Sequence, residues 1–147
     1  IWSRDNGGPK LRLQLLAYPV TDAAARTDSY HLFNDGYGLN APTMEWFFDH
    51  YTPEKSSRDD WRASPIRAKS LAGLPPALVI TAGYDPLRDE GRAYAFRLQK
   101  EGTLADLVEF GGMLHGFLSS PMLLHGARRG TTLCAAALRE ALVLRDQ

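Results

Sequence analysis

The sequence predicts an α/β protein built on parallel strands, and three observations carry that reading. Short apolar runs at 11–18 (LRLQLLAY), 77–82 (ALVITA) and 105–110 (ADLVEF) each end at proline or glycine. Continuous apolar runs of this length, bounded by turn residues, suit strands buried in a parallel sheet. Between the second and third runs lies one helical stretch, and strand, crossover helix, strand is the pattern of a parallel pair with a right-handed connection.

The elements follow in order. The opening IWSRDNGGPK reads as the last turn of a helix stopped by Gly7 and Gly8. The run 11–18 begins in alternation, becomes continuously apolar and halts at Pro19. Residues 20–74 form an excursion, long for a compact α/β connection. It holds a short helix at 43–50 (TMEWFFDH) entered through Pro42, then the polar stretch EKSSRDDWR. The run 77–82 is entered through Pro75 and Pro76 and left through Gly83. A helix is predicted over 86–100, with Pro86 in its first turn, Asp89 and Glu90 at the positive end of its dipole, and Gly102 as its stop. Leu87, Gly91, Tyr94, Ala95 and Leu98 share one stripe of it. The run 105–110 is of mixed polarity and stops at Gly111 and Gly112, which suits a place nearer the sheet edge. A second amphipathic helix is predicted over 124–144, its apolar face made by Leu133, Cys134, Ala137, Leu138, Ala141 and Leu142.

Composition narrows the function. The 147 residues can bury a core, and 44% hydrophobic with 23% charged residues is the balance of a globular protein. Seventeen basic residues offset seventeen acidic ones, so no net charge favours nucleic acid. No apolar run reaches the roughly 18–20 residues of a membrane span, and the N-terminus is not a signal peptide. A lone Cys134 excludes an internal disulfide and fits a reducing compartment, hence a cytoplasmic protein.

Two strings carry the chemistry, AGYDPLRDEG at 82–91 and GGMLHGF at 111–117. Ligands of open α/β sheets sit beyond the carboxyl ends of the strands. Asp85 and His115 both fall on that edge, on loops from neighbouring strands. An Asp so placed accepts the imidazole Nδ1–H, fixes the tautomer and stabilises the imidazolium, as the acid and base of a catalytic triad do. Read separately, each has a plainer role: Asp before Pro is a common helix N-cap, and a His in a glycine loop needs no partner. His31, His50 and His125 have no such placement and read as surface or packing residues, Asp89 and Glu90 as helix-start charges. Trp46, Phe47 and Phe48 read as core by their spacing. Cys134, on an apolar helix face, reads as an inert thiol. No HExxH, Cys/His set, GxGxxG or GxxxxGK[ST] occurs, so no metal or nucleotide cofactor is called for. No G-x-S-x-G and no H-G-G-G occurs either.

In order and spacing, LQLLAYP, GYGL, WFFDHY, ASPIRAKSLAGLPPALVITAGYDPLRDEGRAYAFRLQKEG and FGGMLHGF resemble the C-terminal half of the hormone-sensitive-lipase-like esterases, which have the α/β-hydrolase fold. The resemblance runs from about Arg4 to Leu142. It implies that residues 1–147 are the C-terminal portion of one α/β-hydrolase domain, with the three runs as its sixth, seventh and eighth strands and 20–74 near the substrate entrance. It also implies hydrolysis of small-molecule carboxylic esters through an acyl-enzyme on serine, without a cofactor. Asp85 matches the family's acid and His115 its base, while Phe47 and Phe117 border the acyl or alcohol pocket. The family's serine elbow and oxyanion loop precede the matching region, so this chain alone is expected to be inactive. Its natural partner is then the missing N-terminal half, and without it the chain is expected to associate with itself or aggregate. A homodimer through the 105–110 strand is a further implication. Two other functions share these features: a non-catalytic α/β assembly or binding module, and a peptidase or acyltransferase of the same fold.

Overall fold

In the computed structural model, residues 1–143 are described, and Leu144, the expected end of the tail helix, lies outside them. Three strands, β1 (Gln14–Ala17), β2 (Ala77–Tyr84) and β3 (Ala105–Leu114), form a parallel sheet in the order β1-β2-β3. The parallel α/β reading therefore holds. Helices are α1 (Trp2–Asp5), α2 (Asp28–Leu32), α3 (Ala41–Tyr51), α4 (Arg88–Lys100) and α5 (His125–Val143).

The sheet is filled from both faces because β2 is buried from Ala77 to Gly83 and, Thr81 apart, apolar. Ala77 and Val79 pack under Tyr94, Ala95 and Leu98 of α4, together with Leu71 and Leu74. Leu78, Ile80 and Ala82 point the other way, toward Phe117 and Ala127, with Leu133, Cys134 and Ala137 of α5 around them. Alternation along a strand sends successive side chains to opposite faces, so a run apolar at every position needs a helix on each side. α4 comes closest at Gly91, where a Cβ would sit 2.9 Å from the Thr81 methyl.

Strand ends depart from expectation. β1 is four residues long, since its ladder begins only where Gln14 faces Ala77, the first residue of β2, which leaves 11–13 outside it. It ends at Ala17, and the next residue, Tyr18, turns the chain with a φ of 38°. β2 and β3 run on through the glycines expected to stop them. Regular pairing places Ala77 opposite Ala105 and Ala82 opposite Phe110, an offset of 28; Tyr84 then pairs with Leu114, an offset of 30. The two extra residues are a bulge on β3 in its glycine segment. A Cβ on Gly83 would run into the backbone of Gly111, so a glycine at 83 permits the approach that lets pairing continue past the irregularity.

The excursion has more structure than expected. Besides α3, capped by the Asn40 side chain on the Thr43 N–H, it holds α2 and 3-10 turns at Lys55–Asp59 and Pro65–Arg67. The polar stretch is not simply solvated. Arg58 is buried, donates to Glu45 at 2.8 Å and Asp49 at 2.7 Å, and lies over the Phe48 ring. Of the aromatic triplet only Phe48 is core; Trp46 and Phe47 are exposed, because one helix face cannot hold three successive residues.

Gly83→Ala should cost about 1–3 kcal/mol, the usual penalty of overpacking. Gly112→Ala, with open space at its Cβ position, should stay within about 0.5 kcal/mol. Urea unfolding of the two variants beside the unchanged protein checks the contrast, and equal losses would deny the close approach its importance.

Candidate active site

Because Tyr84 pairs with Leu114, the next residue on each strand is Asp85 and His115. The structure brings these two together: His115 Nδ1 lies 2.8 Å from Asp85 Oδ2. Asp85 is fully buried, and its Oδ1 accepts the Leu87 N–H at 2.9 Å. That bond is a local turn between residues 85 and 87, and α4 begins only at Arg88 with no side-chain cap. Asp85 is therefore not the helix N-cap, and its second oxygen is free to hold the imidazole. A buried carboxylate is tolerable only when such partners replace water. His115 is about a quarter exposed, with the Tyr18 ring packed on it at a centroid distance of 4.5 Å. Gly116, at φ 78°, supplies the left-handed turn just after it.

The imidazole borders a cavity of about 600 Å³ whose wall is mainly apolar. Tyr18, Val20, Met44, Phe47, Phe48 and Leu87 contribute to it, so the excursion and the strand ends build it jointly. Phe47 reaches this cavity. Phe117 does not: it is buried between the sheet and α5, against Phe110 and Tyr18, because the turn at Gly116 folds it inward. His31, His50 and His125 are exposed, and His50 Nδ1 contacts its own helix at the Trp46 carbonyl. Burial raises the Cys134 thiol pKa, away from a reactive thiolate. Among the described residues, no group of three or more His, Cys, Asp or Glu is placed to hold a metal ion, and no helix is long and apolar enough to cross a membrane.

Several residues that hold the turn after Asp85 carry no local signal in the sequence. Buried Ser29 donates to the Pro86 carbonyl at 2.6 Å, and its own N–H donates to Asp89 at 2.9 Å. Tyr84 stacks on Tyr37, Phe33 meets both edge-on, and Arg88 covers Phe33 while donating to the Gly83 carbonyl. Asp89 and Glu90 are more than helix-start charges. Glu90 is buried, and its Oε1 accepts the N–H groups of Thr21 at 2.6 Å and Asp22 at 3.2 Å. Burial pushes its carboxyl up to about 7 despite those bonds. The Tyr30 hydroxyl, raised in turn by burial and by Glu90, belongs to the same buried group. An excursion folding back on a strand end some 47–69 positions away leaves no periodic signal.

The family described as alpha/beta hydrolase fold matches residues 1–119. The carboxylic ester hydrolase LipN of Mycobacterium tuberculosis is 44% identical over 141 residues, 95% of this chain and 38% of that protein. An ethyl acetate hydrolase of Pseudomonas putida is 37% identical over 131 residues, 89% of this chain and 41% of its own length. Among solved structures, the thermostable carboxylesterase EstE1, cloned from a metagenomic library, superposes with a TM-score of 0.90 at 39% identity, covering 95% of this chain and 48% of its own. The chain thus spans well under two thirds of the length of these relatives.

Glu90 makes stability depend on pH with a definite sign. Its folded-state pKa of about 7 lies above its ordinary 4.5, so the folded protein holds the proton more tightly. The stabilisation, about 3 kcal/mol, is complete below pH 4.5 and is lost as pH rises through 7. Glu90→Gln should remove that component, so that urea unfolding between pH 5 and pH 8 shows a flatter dependence in the variant. An unchanged slope would contradict it.

Proposed function

The chain belongs to the alpha/beta hydrolase family, among its hormone-sensitive-lipase-like esterases, and from that membership we propose that it supplies the acid and base of a Ser-His-Asp carboxylic ester hydrolase. One observation supports the reading above others. A fully buried carboxylate lies 2.8 Å from the Nδ1 of an imidazole that borders an apolar cavity, at the carboxyl edge of a parallel sheet. The nucleophilic serine and oxyanion donors lie outside these residues, since no serine elbow occurs among them.

In the proposed reaction Asp85 holds the Nδ1–H tautomer, which leaves the Nε2 lone pair for the serine hydroxyl. The serine oxygen attacks the ester carbonyl as Nε2 takes its proton, and the imidazolium is stabilised by Asp85. Nε2 then returns the proton to the departing alkoxide, which leaves as the alcohol and generates the acyl-enzyme. Water repeats both transfers and releases the acid. The mainly apolar wall, with Phe47 in it, suits the hydrocarbon part of a small ester. No cofactor enters any step.

The remaining parts of the reading concern the whole protein. Residues 1–147 form part of one hydrolase domain, with 20–74 beside the substrate entrance. β3 is an outer strand of the sheet and offers an edge to a second copy. A free Cys134 suits the reducing cytoplasm.

The test uses the full-length protein on p-nitrophenyl esters beside peptide substrates. Turnover of esters should dominate; faster cleavage of peptides would assign the fold to a peptidase instead. Asp85→Asn should lower kcat by about 10⁴, as loss of the correct tautomer does in serine proteases. His115→Ala should cost about 10⁶. The 147 residues alone should show no turnover, and a gene without an upstream serine elbow would favour a non-catalytic module.

A further inference from the structure

We propose that Glu90 is a positioning residue for His115, because it anchors the exit loop of β1 that holds the Tyr18 ring against the imidazole. The proposal rests on the reading of His115 as the general base. A single hydrogen bond to Asp85 fixes one ring nitrogen, but the outer torsion of a histidine side chain is broad. The direction of Nε2 therefore needs a second contact. Tyr18 provides it, with its ring centroid 4.5 Å from that of His115 and the planes inclined by 57°.

Tyr18 reaches that position only through a strained backbone. Among the described residues it is the non-glycine with positive φ, at 38°. Such a conformation persists where the surroundings determine it from both sides. Before the bend, the Tyr18 N–H donates to the Ile80 carbonyl at 2.6 Å. After it, Glu90 takes the chain: Oε1 accepts from the Thr21 and Asp22 N–H groups, and the Glu90 carbonyl accepts from the Thr21 hydroxyl at 3.0 Å. Pro19, between the bend and the clamp, lies over Gly91, where a Cβ would come to 3.7 Å from its ring. The loop is thus seated on the first turn of α4, the same turn that follows Asp85. One short segment sets both the acid and the tyrosine that aligns the base. A helix-start charge would serve the dipole equally well in solvent; burying it serves the clamp.

The experiment measures ester hydrolysis by the full-length protein, with active sites titrated by a phosphonate so that unfolded material does not enter kcat. Glu90→Ala should lower kcat per active site about ten- to a hundredfold, the scale of a misplacement near 1 Å, with KM within about twofold. Glu90→Gln keeps the accepting oxygen and should recover most of that loss. Tyr18→Ala should reproduce it, and the double variant Glu90→Ala with Tyr18→Ala should lose no more than Tyr18→Ala alone. Unchanged kcat per active site in Glu90→Ala, no recovery with glutamine, or additive losses in the double variant would overturn the proposal. His115→Ala separates the two levels. If it keeps activity, the assignment of the base falls and takes the inference with it. If it is inactive while Glu90→Ala is normal, only the inference falls.

Discussion

The pairing of Tyr84 with Leu114 is the constraint on which the site depends. Parallel strands deliver their following residues to the same edge, but the regular offset of β2 and β3 would have set Tyr84 against Gly112 instead. The two-residue bulge carries β3 forward until Leu114 lies beside Tyr84, and Asp85 and His115 then emerge as neighbours. Gly83 makes this possible because it carries no side-chain atom where the Gly111 backbone lies. The resulting hydrogen bond joins two backbone positions already held by a sheet, so little conformational freedom is left to lose in forming it.

Around that pair the structure replaces water with fixed partners. Asp85 has one oxygen on the Leu87 N–H and the other on His115. Leu87 itself belongs to the apolar cluster of the excursion, with Tyr30, Met44 and Phe48. Ser29 holds the Pro86 carbonyl, and Glu90 holds the chain leaving β1. The excursion therefore has two tasks. It walls the apolar cavity, and it clamps the turn that carries Asp85. A polar network in a buried position strengthens each of its bonds and penalises each missing one, which favours a single arrangement.

The parallel strands, both long helices and the edge on which the site forms were legible because they rest on local signals: apolar runs, turn residues and a 3.6-residue stripe. Strand ends were less legible. Glycine reads locally as a stop, yet Gly83 lies inside the ladder because the close approach of the Gly111 backbone requires it, and β3 runs on through Gly111 and Gly112. Asp85 and His115 were legible as candidates through strand context, and DPLRDEG and HGF tied them to a family. The inward facing of Phe117 was not legible because it depends on the left-handed turn at Gly116, which sequence spacing does not reveal. Glu90 looked like a helix-start charge because its burial comes from a segment distant in the chain, around Thr21 and Asp22.

The account's central claim is that Asp85 holds His115 with its proton on Nδ1 and leaves Nε2 as the base. Nitrogen-15 NMR of the full-length protein, labelled at histidine and assigned by His115→Ala, reads the tautomer directly. Above the imidazole's own titration, His115 should show a protonated Nδ1 and an unprotonated Nε2, with a downfield Nδ1 proton that disappears in Asp85→Asn. A proton resident on Nε2, or an Nδ1 signal indifferent to that substitution, would contradict the account.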